Sequence, residues 1–163
     1  MSNSNDRIEA HRDLIRGGLI ALAAPVVVVA GWALIAPHGW YSTFPGGGRH
    51  WVSALGAYDE HLVRDFAATY LGIGLLILAA AVVLTRQLVV AALATSLVFQ
   101  VPHFIFHIAN KDALSTGDYV ANIGLLAVGL ALTVYLLVLV VRPSERTVAE
   151  RSQVEGGVSY GTR

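Results

Sequence analysis

The chain has no cysteine. It therefore has no disulfide, no thiolate metal ligand and no dithiol redox pair, and any redox chemistry would need a bound cofactor. Charge is also scarce: 11 Lys and Arg balance 11 Asp and Glu, together 13% of 163 residues, for a net charge of zero. No basic cluster is interleaved with aromatic residues, so the electrostatic footprint of a nucleic-acid binder is missing and that class is set aside. The sequence carries no internal repeat, no glycine-rich phosphate loop and no GxSxG nucleophile turn.

What is present is apolar. Hydrophobic residues make up 55% of the chain and mean hydropathy is +0.62, a balance too apolar for an ordinary soluble domain of this length. Residues 17–48, 66–85, 87–110 and 119–141 contain no Asp, Glu, Lys or Arg. Each run is long enough to cross a bilayer, which takes roughly 20 residues at helical rise. The runs lack the alternation of a barrel strand, and a helix closes its own backbone hydrogen bonds in hydrocarbon. The expected fold is therefore all-α, a bundle of four transmembrane helices with spans near 17–36, 63–85, 88–108 and 119–141.

Pro25 is expected to kink the first span. Small residues, Ala68 with Gly72 and Gly124 with Gly129, are expected to let helices approach closely. The first apolar segment is longer than the core of a signal peptide and lacks a small-x-small cleavage site, so it is expected to stay in the mature chain.

Lys and Arg near the span ends divide unevenly. Arg7, Arg12, Arg16, Arg86, Arg142, Arg146 and Arg151 lie on one side, against Arg49, Arg64 and Lys111 on the other. The positive-inside rule then places both termini in the cytoplasm of an inner-membrane protein. Residues 1–16 read as a cytoplasmic tail with a juxtamembrane helix opened by Asp6 and Glu9 at capping-box spacing. Residues 17–141 form the membrane domain, and 142–163 a polar cytoplasmic tail expected to be disordered. The link at 85–87 is a tight cytoplasmic turn. The connection 37–60, rich in Trp, Tyr and Phe around a triple glycine, faces outward as an aromatic belt at headgroup level, with a ligand-gating lid as the alternative.

Chemistry-bearing residues gather at the outward end. In "YDEHLVRDFAATYLGIGLL", Asp59 and Glu60 cap a helix and complement its dipole, and Arg64 stands one turn from Glu60. Asp65 lies deeper than capping requires, and His61, four residues earlier, shares its face. In "VPHFIFHIAN", the residues Gln100, His103, His107 and Asn110 follow three-four-three spacing and make one polar stripe on the third span. The fourth span adds Asp118, expected to be its N-cap, and Asn122.

If spans two and three are antiparallel, His61, Asp65, His103 and His107 reach similar depths and form one cluster. Three readings stay open: a hydrogen-bond cluster that fixes the bundle, a transition-metal or bis-histidine haem site, and a pocket for the polar head of a lipid or quinone. His38 and His50 read as surface histidines.

At "YDEHLVRDFAATYLGIGLL" and "VPHFIFHIAN" the chain resembles small bacterial four-helix membrane proteins grouped as DoxX-like. The resemblance spans the four helices and leaves both tails outside it. It implies a four-helix fold and, through the better-known members, an occasional role as membrane subunit of a quinone-linked oxidoreductase, and it supplies no catalytic residues. Two functions from different classes follow. One is a binding or accessory subunit that meets the bilayer, other membrane proteins or further copies of itself through small-residue faces. The other is a metal- or haem-dependent, quinone-linked membrane redox protein using the His/Asp cluster.

Overall fold

A computed structural model describes residues 6–142, with side chains from Ile8 onward. The disorder expected of 143–163 and the capping role expected of the Asp6 side chain lie outside the described residues. Among the described residues every regular element is helical: α1 (Asp6–Ala10), α2 (Arg12–Ile35), α3 (Pro37–Thr43), α4 (Glu60–Val83), α5 (Arg86–Ala109), a 3₁₀ turn (Lys111–Ala113) and α6 (Thr116–Val141). Four of them, α2, α4, α5 and α6, are long and apolar enough to cross a membrane. The protein is a multi-pass helical membrane protein.

Each long helix begins one to several residues before the apolar run that announced it, and in α4 and α6 a polar side chain caps the helix outside the apolar stretch. Asp59 accepts the Leu62 amide at 3.1 Å and opens α4. Ser115, rather than Asp118, is the N-cap of α6 and accepts the Asp118 amide at 3.2 Å. Asp118 stands three residues inside, which frees its carboxylate for other partners. Pro25 is accommodated within α2 as a continuous helix. Part of the expected loop is helical, since Pro37 fixes the φ that α3 needs at its first position.

α2 packs most extensively on α4, and α5 on α6. At the end where α2 begins and α6 finishes, Ile15, Leu19, Ile77, Val89, Leu93, Leu136 and Val140 are essentially inaccessible. Leu84 closes α4 in the left-handed region, at φ 54°. That conformation costs a β-carbon residue about 1–2 kcal/mol, and burial of the side chain in the apolar cluster of this end offsets it.

Two arginines satisfy carbonyls that helix ends leave open. Arg16 Nε donates to Ala81 O at 3.1 Å and Arg86 Nε to Val140 O at 3.4 Å. Deeper in the bundle, Gln100 Nε2 donates to Thr133 Oγ1 at 3.0 Å and to Ser96 Oγ at 2.7 Å. Thr133 Oγ1 in turn donates to Gly129 O at 2.9 Å, so the polar groups joining α5 to α6 satisfy one another.

Close approach occurs at glycines other than those expected. A β-carbon on Gly72, Gly124 or Gly129 would meet nothing within 4 Å, because those positions do not face a neighbouring helix. The close contacts are at Gly74, where it would lie 2.8 Å from Val27 Cγ2 and 3.0 Å from Val26 Cγ1, and at Gly18, 2.9 Å from Leu136 Cδ1. Gly74→Ala should therefore push α4 off α2 and destabilise the bundle by about 1–3 kcal/mol, the cost of overpacking. Gly72→Ala should leave the unfolding midpoint in mild detergent at or above that of the wild type. Equal midpoints for the two variants would mean that the α2–α4 seam does not run through Gly74.

Candidate functional site

At the opposite end of the bundle the core is aromatic. Ala33, Val63 and Ala67 are buried between α2 and α4, and against them pack Trp40 of α3 and the partly buried Trp32, Tyr41, Phe44, Tyr58 and Phe66. Residues 44–59 fold back over this end. The backbone turns through Gly46, Gly47 and Gly48, all at positive φ (102°, 64° and 78°), where a side chain would be strained.

The turn is tied at several points. Trp51 N donates to Phe44 O at 2.9 Å, Tyr41 Oη donates to Gly56 O at 2.6 Å, and His50 Nδ1 lies 2.5 Å from Ser42 O. Two contacts fasten it to α6, both on Asp118 Oδ1: the Trp51 indole donates at 2.9 Å and Arg49 Nε lies at 3.1 Å. Trp51 is 4% exposed. The loop aromatics thus form a roof on the bundle, where sequence alone had placed them as a belt among headgroups.

Beneath the roof lies a cavity of about 310 Å³. Trp40, Phe44, Trp51, Val52 and Leu55 cover it; Phe66 and Tyr70 of α4, Phe99 and Phe106 of α5, and Leu125 and Leu126 of α6 form its sides. His103, His107 and Asn122 join this lining. The rings run as a continuous series. Centroid separations are 5.2 Å from Trp40 to Phe66, 5.3 Å from Phe66 to Tyr70, 4.8 Å from Tyr70 to Phe99 and 5.1 Å from Phe99 to His103. His103 and His107 meet edge to face at 4.7 Å. The lining contains no carboxylate, ammonium or guanidinium group.

The four residues expected to form one His/Asp cluster separate into two pairs. His103 and His107 line the cavity, whereas His61 and Asp65 form an exposed pair at 3.4 Å, with side chains 87% and 64% accessible. The stripe through His61, Asp65, Ala68 and Gly72 is the exposed face of α4 throughout. Phe66, about 100° further round the helix, and Tyr70 take the inward positions instead. Among the described residues no three His, Cys, Asp or Glu side chains stand close enough to hold a metal ion. The proposed four-ligand arrangement is therefore not assembled in this fold.

The supporting residues divide as well. Glu60 and Arg64, one helical turn apart, pair at 2.8 Å, and Arg64 Nη1 also donates to Leu34 O at 3.2 Å, capping the end of α2. The expected stripe on α5 falls into three environments. Gln100 joins the Ser96–Thr133 group, the two histidines face the cavity, and Asn110 Nδ2 donates to Phe106 O at 2.9 Å at the exposed helix end. Asn122 does join the histidines, as part of the same lining.

Sequence reasoning missed Phe66, Tyr70, Phe99 and Phe106. Their signal was the four-residue spacing of 66 with 70 and of 99 with 103, aromatic positions that also suit a lipid-facing surface. No protein-family model, curated protein or solved structure matches this chain.

The Asp118 contacts give the roof a single anchor on α6. The Arg49 side chain is 53% accessible, so its ion pair contributes little alone, and the part-buried indole bond contributes more. Together they hold the turn by about 1 kcal/mol, and Asp118→Ala should raise the rate of tryptic cleavage after Arg49 about fivefold. Asp112→Ala, a charge change of the same kind at an exposed site, should leave that rate unchanged.

Proposed function

We propose that this protein binds a small lipophilic molecule in the aromatic cavity, serving in the inner membrane as a binding or accessory subunit. The observation that carries this reading is the composition of the cavity wall. It is built from aromatic and aliphatic side chains drawn from α2, α3, the roof and all three other long helices, with His103, His107 and Asn122 set among them. An apolar enclosure with a few convergent polar groups is the usual form of a small-molecule site. The likeness to DoxX-like proteins is in keeping with a small helical membrane subunit, and Gly72 and Gly124 leave exposed faces of α4 and α6 free of bulk for contact with other membrane helices.

The cavity lies toward the end of the bundle away from the arginine-rich helix ends, so the reading places it near the outer surface with both termini in the cytoplasm. The natural absence of cysteine makes this simple to check. In intact cells a membrane-impermeant maleimide should label Ala54→Cys, and should label Gln87→Cys only after permeabilisation. The reverse pattern would invert the proposed topology.

Ligand binding is tested with a fluorescent apolar probe, N-phenyl-1-naphthylamine, titrated into the purified full-length protein in mild detergent. Saturable binding should weaken about tenfold in Leu126→Trp, whose larger side chain fills the cavity at the cost of steric strain. Leu75→Trp, at an exposed position of α4, should bind as the wild type does. Probe binding that is insensitive to Leu126→Trp would remove the case for the cavity.

A further inference from the structure

Two fully buried polar atoms of the residues that line the cavity have no hydrogen-bond partner among the described residues. Trp40 and Asn122 are each more than nine-tenths buried, at 6% and 7% accessibility. Trp40 Nε1 and Asn122 Oδ1 are nonetheless without a hydrogen-bond partner among the described residues. One is an obligate donor and the other an acceptor with two lone pairs. Leaving such atoms unpaired in an apolar setting is costly, and the cost is greater where water is scarce. Other polar side chains inside this bundle, Ser96, Gln100 and Thr133, find partners on the chain itself. The two unpaired atoms both belong to residues that line the cavity.

We infer that the cavity takes a neutral, hydroxylated aromatic ring bearing an apolar tail, with the hydroxyl donating its proton to Asn122 Oδ1 while its oxygen accepts from Trp40 Nε1. This rests on the reading of the cavity as a ligand site. Three observations define the class. The lining offers no fixed counter-charge, so a formally charged head would be buried at a penalty. The wall presents successive ring faces from Trp40 to His103, with interplanar angles of 23° between Trp40 and Phe66 and 25° between Phe99 and His103. Such walls suit a flat ring that can stack or meet their edges.

The tail has a way out. Phe106 of α5 and Leu125 of α6 line the cavity and are also 48% and 66% exposed on the outer surface of the bundle, which in a membrane is a lipid-facing surface. An aliphatic chain attached to the ring can pass between them into the bilayer. The ligand is thus expected to arrive from the membrane rather than from the aqueous phase above the roof.

The test compares three probes of equal tail length: 4-hexylphenol, hexylbenzene and 4-hexylbenzoate. Each is titrated into the full-length protein in mild detergent, with quenching of tryptophan fluorescence as the readout. The phenol should bind about tenfold tighter than hexylbenzene, the discrimination expected when a buried acceptor is otherwise left unpaired. Asn122→Val should abolish that preference while leaving hexylbenzene affinity little changed. Trp40→Phe, a second and milder substitution, should reduce the preference without removing it, and melting curves of both variants confirm that they fold.

Equal affinity of phenol and hexylbenzene in the wild type would overturn this inference and leave the cavity as an apolar site. Tightest binding of the benzoate would overturn it in favour of an acid held by the two imidazoles. Saturable binding of none of the three would overturn both this inference and the reading of the cavity on which it rests.

Discussion

A chain that crosses hydrocarbon must satisfy its polar groups from within, because no water is present to do so. The arrangement of this protein follows from that requirement more than from any drive to bury apolar surface, since lipid tails are as apolar as its leucines and valines. Each long helix closes its own backbone bonds. The carbonyls left open at helix ends are met by Arg16, Arg86 and Arg64 from neighbouring helices. Gln100, Ser96 and Thr133 answer one another between α5 and α6. Against this background the unpaired atoms of Trp40 and Asn122 stand apart, and their shared place in the cavity wall gives them a common meaning.

The two ends of the bundle solve the packing problem differently. At the end where α2 begins and α6 finishes, small and aliphatic side chains interlock, with Gly18 and Gly74 letting a leucine and two valines sit against backbone. At the other end α3 and the roof insert large rings that span the gap between helices without filling it. Rings are stiff, with few rotatable bonds, so an aromatic shell keeps a defined shape around a void at low entropic cost. The roof needs positive φ at three successive glycines to turn back over the bundle, and a carboxylate on α6 to hold it there.

The histidines take their meaning from this setting. His61 and Asp65 form an exposed pair on the outer face of α4, accounted for by their own helix spacing. His103 and His107 stand in the aromatic series, one against Phe99 and the other against Phe106, and give the cavity its imidazole edge. The same residue type at the same four-residue spacing thus forms a surface feature on one helix and part of a cavity wall on the next.

Charge-free runs, flanking arginines and capping residues are local properties, and from them the sequence by itself determined four helices, their order and their bounds to within a few residues. It also determined the Glu60–Arg64 pair and the Asp59 cap, because both partners lie on one helical turn. What only the tertiary structure decided is how each helix is rotated about its own axis. On α4 nearly every residue is apolar enough to face either lipid or protein, so hydropathy does not choose between the Asp65 face and the Phe66 face. Packing of Trp40 and Phe99 against Phe66 chooses. The roof was equally hidden, since Trp51 and Asp118 are separated by 67 residues and meet only once the bundle has formed. Rotation and long-range closure are set by neighbours in space, and a linear pattern carries little of that information in a solvent that does not distinguish one apolar face from another.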